Sequence, residues 1–474
     1  MNLFDDLIFA VYMLVILAVG LYHYRRNKGM EDYYVGGRNM DWRHVGMSVV
    51  ATDVGGGFSI GLGGLGYTMG LSGSWLLFTG LLGAWLATVL LIPHVKRLDV
   101  RDGLLTYPDL LRWRYGTVAA AIAAAISAIG YLGFTGGQVL AGAKLASVTV
   151  FRQGFWGMDP MFFSLVVIAG VTVIYTMFGG LKAVIYTDTV QWLVLLGGLT
   201  LVALPMALYD VGGWSGLKAA LPASHFDLFH LSPATFINWL TTIVPIWFVG
   251  MTLYQRIYAV REVKDVRRAW YMAGLLEWPL MSFMGVLMGM CSRVMFPDVE
   301  PETGLPRLIA EVLPVGAAGL VAAAYFSAIM STADSCMMAA SGNVVNDVLL
   351  RLGLLRDADH RRQMHVSMLV TGLIGVVAVL LAASLQTVLE LILHAYTFMV
   401  AGLFIPTLGV FHFKWGTGRA AVISMIAGGG TALTLIAGGW TLPGGIQASL
   451  AGILASLVSY IAVSLLDSRN RASA

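Results

Sequence analysis

The sequence predicts an all-α, polytopic membrane protein of about thirteen transmembrane helices, arranged as a 5+5 inverted repeat with broken second and seventh spans. Three observations carry this prediction. Of the 474 residues, 58% are hydrophobic and only 12% charged, with a mean hydropathy of +0.78. That composition belongs to a chain dissolved in lipid, not to a soluble core. The apolar stretch from Val45 to Leu71 contains Gly55, Gly56 and Gly57 in a row, with Asp53 two residues before them. Five spans later, the stretch TTIVPIWFVGMTLYQ carries Pro245 and Gly250. An odd offset gives the two breaks opposite topology, and paired interrupted spans in inverted halves mark a midplane binding site.

The remaining spans follow from hydropathy. They centre on residues 6–24, 45–71, 73–95, 117–147, 161–179, 181–208, 234–255, 269–292, 313–346, 364–384, 386–411, 420–438 and 445–466. Residues 45–208 form the first repeat and 234–411 the second. Residues 6–24 and 420–466 are peripheral, and all belong to one transmembrane domain, 1–474. Outward loops of some length are expected only at 209–233 and 293–312. Basic residues cluster in alternate loops, for instance Lys96, Arg97 and Arg101, then Arg256, Arg261, Lys264, Arg267 and Arg268. The positive-inside rule then puts the N-terminus outside and the C-terminus in the cytoplasm. The start, MNLFDD, is acidic and lacks the basic opening and small-residue cleavage site of a signal peptide, so the first span is expected to persist.

The formal charge of +3 is too small to suggest nucleic acid. Cys291 and Cys336 both fall in or near apolar spans, which excludes a disulfide framework or a thiolate metal set. There is no GxxxxGK[ST] loop for a nucleotide-driven pump, and no Ser/His or paired-Asp motif for an enzyme.

Glycine weakens a helix by roughly 0.5–1 kcal/mol relative to alanine. Three in a row invite a break, and in lipid a break exposes carbonyls that protein, water or an ion must satisfy. The bland alternative is a close helix-packing face. Ionisable residues at membrane depth are few: Asp53, Lys144, Asp188, Glu277, Asp334 and Glu390. Lys144 and Glu390 lie near span ends, and Thr187, Thr189 and Gln191 flank Asp188. Ala328, Ser331, Thr332 and Ser335 recur at i, i+3, i+4 and i+7, one helix face with Asp334 at its edge. Oxygen donors in that pattern suit a hard monovalent cation. Any one hydroxyl alone is better read as gluing helices together; the stripe together with Asp188 and Asp53 points to the cation.

The segments GGLKAVIYTDTVQW, AYFSAIMSTADSCMMAASGNVVNDV, LYQRIYAVREVKDVRRA and YYVGGRNM resemble the sodium:solute symporter family over nearly the whole chain. The resemblance implies the LeuT-type inverted-repeat fold and Na+ as the coupling ion. It implies that Ser331 and Thr332 ligate sodium by side chain, with the carbonyls of Ala51, Val54 and Ala328. Some members hold a second cation at positions matching Asp188, Ser331, Asp334 and Ser335. Here Asp334 stands where serine is usual. The lysine of sugar-carrying members corresponds to Glu277, which argues against a sugar. An aspartate matching Asp53 occurs in proline carriers. The expected solute site is Asp53, Phe58, Gln138, Trp247, Thr252 and Tyr396.

The expectation is a sodium-coupled symporter, not an enzyme, importing a small polar organic solute, amino acid or carboxylate-like, by alternating access. Its partners are that solute and the lipid bilayer, not nucleic acid. It is expected as a monomer or weak oligomer in the plasma membrane, of a bacterial inner-membrane kind. The rivals are a proton-coupled symporter of the same fold, a passive channel, and a transporter-like membrane sensor, for which the few residues after the last span leave little room.

Overall fold

The computed structural model describes residues 3–24, 30–153, 157–351, 353–355, 359–384 and 387–472. The first span is α1 (Leu3–Tyr24), followed by a short α2 (Met30–Val35). The second span is two helices, α3 (Trp42–Val54) and α4 (Gly56–Met69). Asp41 starts α3 by accepting from the Arg43 amide at 2.7 Å. Gly55 ends it at φ 21, ψ 177, a conformation that glycine alone adopts without strain.

The third span is α5 (Trp75–Leu90), continued by α6 (Ile92–Asp102). Helix α7 (Tyr107–Tyr115) starts with a reciprocal Thr106/Asp109 capping box. The fourth span is the long α8 (Thr117–Val148). The fifth and sixth share one helical run, α9 (Pro160–Gly197), capped by Asp159 and kinked at Gly180 (φ 67, ψ 173). The expected boundary between spans 161–179 and 181–208 is therefore a single glycine kink. Helices α10 (Leu204–Asp210) and α11 (Gly213–Ala220) lead to the seventh span.

That span is α12 (Pro233–Val249) and α13 (Met251–Ala259), bent by 41° at Gly250. Helices α14 (Val263–Leu275) and α15 (Ser282–Met295) form the eighth span across a π-helical turn containing Glu277. The segment expected as a loop at 293–312 instead holds α16 (Pro301–Val312), which packs on α4. The last spans are α17 (Ala317–Gly342), α18 (His360–Ser384), α19 (Val388–His412), α20 (Gly418–Ala437) and α21 (Ala448–Ala472).

Among the described residues, nine helices are long and apolar enough to cross a membrane, or ten with the bent α12–α13 pair. The difference from thirteen lies in α1, in Pro160–Ile174, a shorter apolar helix, and in spans two and three, joined across Ser59–Leu90. The most enclosed helical run is Ala317–Leu349, 94% buried, against 28% for Gly180–Asp210. The polar stripe of α17 therefore faces protein, and α17 touches α3, α4, α8, α9 and α18. Cys291 and Cys336 are buried free thiols.

Candidate functional site: two helix breaks and the side chains that close them

At the first break, the hydroxyl of Thr332 on α17 lies 3.1 Å from the carbonyl of Ala51 and 3.0 Å from that of Ala328. The Ser331 hydroxyl lies 3.1 Å from the same Ala328 carbonyl. All four residues are buried. A Cβ on residue 55 would stand 2.1 Å from the Thr332 hydroxyl oxygen. Only glycine lets α17 come this close, so the φ of the break and the approach of the hydroxyl are one requirement. The Val54 carbonyl belongs to the turn at this break. The structure thus keeps Ala328, Ser331 and Thr332 on one face of α17, in keeping with their helical spacing, and sets the Ala51 carbonyl of the broken span against that face.

The second break is held in the same manner by a different helix. The phenol oxygen of Tyr131 on α8 accepts from the Thr252 amide at 3.1 Å and lies 3.1 Å from the Thr252 hydroxyl. Span nine closes the break in span two, and span four closes the break in span seven. Both pairs shift by five, as an inverted repeat requires.

Beside the first break lies a group that sequence reasoning missed. Arg256, expected in a cytoplasmic loop, is fully buried on α13. Its guanidinium donates to Ser48 (3.0 Å), Thr52 (2.6 Å), Ser335 (2.8 Å), the Thr252 carbonyl (3.1 Å) and Asp188 (3.3 Å). Asp188 is also fully buried and accepts from the Ser48 hydroxyl, and Ser331 is within its reach. The expected second-cation residues Asp188, Ser331 and Ser335 do converge, but around an arginine. Asp334 points elsewhere and accepts from Thr176 on α9. Nor do the neighbours of Asp188 serve it. Thr187 donates to the carbonyls of Ala183 and Val184, and Thr189 pairs with His44. The end of an apolar stretch reads as a charged flank, so Arg256 gave no signal. The break at Gly250, which carries the chain back into the bundle, was the available clue.

The expected solute residues surround the two breaks. Gln138 accepts from the Gly57 amide at 3.0 Å, and its amide nitrogen has no acceptor among the described residues. Trp247 lies against Gly83, where a Cβ would stand 2.4 Å from the indole, and its ring N–H finds no acceptor among the described residues. Tyr396 meets Phe134 edge-on, ring centroids 4.9 Å apart, and faces Asp53 electrostatically. Thr252 is committed to Tyr131. The side chain of Phe58 lies outside the described residues. Glu277, one of the ionisable residues at membrane depth and the counterpart of the lysine of sugar-carrying members, joins this group opposite Asp53.

The two ends of the bundle differ. Near α16, a cavity of about 540 Å³ is lined by Gly61, Gly64 and Leu65 of α4, by Glu300 and Glu302, and by Leu389 and His394 of α19. Lys144 donates to Glu302 at 2.8 Å and to Glu300 at 3.1 Å. Glu302 also accepts from the first amides of α19, Val388 and Leu389, at 2.9 and 3.0 Å. Lys144 therefore pairs rather than extending outward. At the other end, Arg38 pairs with Asp99, which also holds Lys96 at 2.6 Å. Arg351 there bridges Asp109 and Asp347.

Two interrupted spans, each closed by a side chain from the opposite half, with buried polar groups converging between them, define a LeuT-type architecture. A model of the sodium:solute symporter family matches residues 33–428, and the chain belongs to that family. It is 31% identical over 386 residues to sodium/myo-inositol cotransporter 2 of Oryctolagus cuniculus, covering 71% of this chain and 55% of that one. It is 27% identical over 463 residues to the high-affinity proline transporter PutP of Bacillus subtilis (strain 168), covering 95% and 96%. The chain thus spans about half of the first and nearly all of the second. These relatives are transporters, not enzymes. In fold it resembles a Na+-coupled sialic acid symporter solved in a substrate-bound outward-open state, with a TM-score of 0.81, 21% identity and 98% of both chains covered. It also resembles Mhp1, a nucleobase-cation-symport-1 family transporter, with a TM-score of 0.62 and 14% identity, over 94% and 96% of the chains.

Proposed function

We propose that this protein is a sodium-coupled symporter that imports a small polar organic solute by alternating access. The observation that carries the reading is the Thr332 hydroxyl, set between the Ala51 and Ala328 carbonyls at the broken span. Hard oxygen donors around a helix break are what a sodium ion needs. Ser331 and the Val54 carbonyl complete the set. Sodium there ties α3 to α17, and solute then binds between the two breaks, against Asp53, Gln138, Trp247, Thr252 and Tyr396, with Phe58 on α4 just past the first break. The membrane potential contributes about 2.3 kcal/mol per charge per 100 mV.

One sodium, not two, fits the charge inventory. The guanidinium of Arg256 already neutralises Asp188 and hydrogen-bonds Ser335, so the second cation expected with Asp334 has lost two of its ligands. The solute class is an amino acid or carboxylate-like molecule, and similarity to PutP along nearly the whole chain supports the former. In this reading residues 45–208 and 234–411 are the two repeats. The N-terminus lies outside, the C-terminus is cytoplasmic, and the protein works as a monomer or weak oligomer in a plasma membrane of the bacterial inner-membrane kind. Proteoliposomes loaded with potassium should accumulate solute when sodium is added outside. Equal accumulation under a proton gradient without sodium would replace the reading with proton coupling, which the facing carboxyls of Asp53 and Glu277 favour as the second choice. A thermal-shift screen of metabolites, with and without sodium, would identify the solute.

A further inference from the structure

The cytoplasmic end of the bundle, in the orientation proposed above, carries a basic corner that transport leaves unused. Helix α3 crosses α14 there at close range. A Cβ on Gly46 would stand 2.4 Å from the Met272 methyl carbon and 3.0 Å from the Ala269 carbonyl oxygen. The crossing sets the first turn of α3 against the first turns of α14. Trp42, one turn before Gly46, has the Arg268 guanidinium 6.0 Å from its ring centroid and that of Arg43 at 5.7 Å, within reach of cation–π attraction.

These cations differ from their neighbours on the same end. Arg38, Lys96 and Arg351 are committed to buried aspartates. Among the described residues no carboxylate pairs with Arg43, Lys264 or Arg267. The Nε of Arg267 is out of contact with solvent and has no acceptor among them, a state that an incoming phosphate oxygen would relieve. The acids of these turns are already engaged in part. Asp41 caps α3, and Asp265 takes Arg268 at 3.1 Å, which leaves Glu262 against three unpaired cations.

Deeper along the same stripe α14 turns apolar. Lys264, Arg267, Arg268, Tyr271 and Leu275 fall at i, i+3, i+4, i+7 and i+11. Tyr271 meets Trp85 of α5 edge-on, ring centroids 5.9 Å apart, and Leu275 is exposed. At 1.5 Å per residue, Tyr271 lies about 10 Å and Leu275 about 16 Å below Lys264. Charge, then aromatic rings, then open aliphatic surface is the order in which a phospholipid presents phosphate, interface and acyl chain. We propose that Arg43, Lys264, Arg267 and Arg268, gathered about Trp42, bind the headgroup phosphate of an anionic phospholipid whose acyl chain lies along Tyr271, Trp85 and Leu275. A zwitterionic headgroup brings its own cation against these four and is disfavoured. Helix α3 runs into the first break, and α14 follows α13, which leaves the second. The lipid therefore ties together the cytoplasmic ends of both broken spans.

The test uses the purified full-length protein in detergent micelles and reads binding, so it needs neither the solute nor the symport reading. Phosphatidylglycerol is titrated in while the melting temperature is followed. Phosphatidylcholine probes a zwitterionic headgroup, and glycerol 3-phosphate probes a phosphate without a tail. Phosphatidylglycerol should stabilise the protein saturably, and the other two far less. Arg43→Gln with Arg267→Gln should raise the half-saturating mole fraction at least fivefold, whereas Arg43→Lys with Arg267→Lys should stay closer to wild type. Lys414→Gln with Arg419→Gln, exposed cations elsewhere on the same end, should titrate as wild type. If the double glutamine variant melts far below wild type before lipid is added, Arg43→Gln alone, at an exposed position, takes its place with the same expectation in direction. Equal stabilisation by phosphatidylcholine, or a wild-type titration in the glutamine variant, would overturn the proposal. Equal stabilisation by glycerol 3-phosphate would overturn it in favour of a soluble phosphate ligand. An equal loss in the Lys414, Arg419 variant would overturn it by reducing the corner to bulk surface charge.

Discussion

Thr332→Ala separates the two roles open to a buried hydroxyl. In the structure the oxygen sits 3.1 Å from the Ala51 carbonyl and 3.0 Å from the Ala328 carbonyl, with no exposure to solvent. As a helix-to-helix hydrogen bond, such a contact contributes about 0.6 kcal/mol on average in a membrane protein. Its loss would lower the melting temperature slightly and leave the ion alone. As a ligand, the oxygen acts on sodium directly, and its loss should raise the half-saturating sodium concentration tenfold or more, about 1.4 kcal/mol. Thr332→Ser keeps the oxygen and should shift the curve little. Solute affinity should fall at low sodium and recover at high sodium, because the two bindings are reciprocal. The assay is a sodium titration of uptake in proteoliposomes at matched protein content, for wild type and both variants. Superimposable sodium curves, with only the maximal rate or the melting temperature changed, would refute the ligand role.

Gly55→Ala should disable transport, since the new Cβ would stand 2.1 Å from the Thr332 oxygen at a left-handed φ. The strain is on the order of 1–3 kcal/mol, and near-wild-type uptake would show that the break tolerates a side chain. Arg256→Met should leave Asp188 charged and unpaired, a loss of about 3–5 kcal/mol. The double variant Arg256→Met, Asp188→Asn should regain part of it, and additive melting-temperature losses would mean the pair is uncoupled. Recovery of Arg256→Met at high sodium would show that an ion can replace the guanidinium. Lys144→Met should loosen the α16 end of the bundle. Thiol labelling of Leu65→Cys in that background should then be several-fold faster, the two native cysteines being buried. Unchanged labelling would make Lys144 a static packing contact.

The helix breaks were legible in the sequence because glycine triplets and a proline–glycine pair inside apolar runs have no inexpensive alternative in lipid. The stripe on α17 was legible because a helix fixes which residues share a face. Arg256 and Glu277 were not. A basic residue at the end of an apolar stretch has the same appearance whether the chain leaves the membrane or turns back at Gly250. Glu277 could be placed in its span, but its partner lies 224 positions earlier (277 less 53), across a contact that no periodicity encodes. Helix α16 was not expected because its amphipathic sequence carries a proline at its start and another, Pro306, inside it, which reads as a polar linker.

The two ends of the bundle are closed by different amounts of charge. Opposite α16, Arg38, Lys96 and Arg351 hold three buried aspartates in two separate clusters that join α6, α7 and the turn after α17. At the α16 end a single ammonium, that of Lys144, serves both glutamates. Opening the first end means separating two ion pairs between elements, Arg38–Asp99 and Arg351–Asp109; opening the second means releasing one lysine and the two α19 amides that share Glu302. In the symport reading, the empty protein therefore rests with its outer door as the easier one to move. It would then pass little sodium on its own: an ion that enters without solute meets a charged seal on the far side, and the gradient is not dissipated as leak.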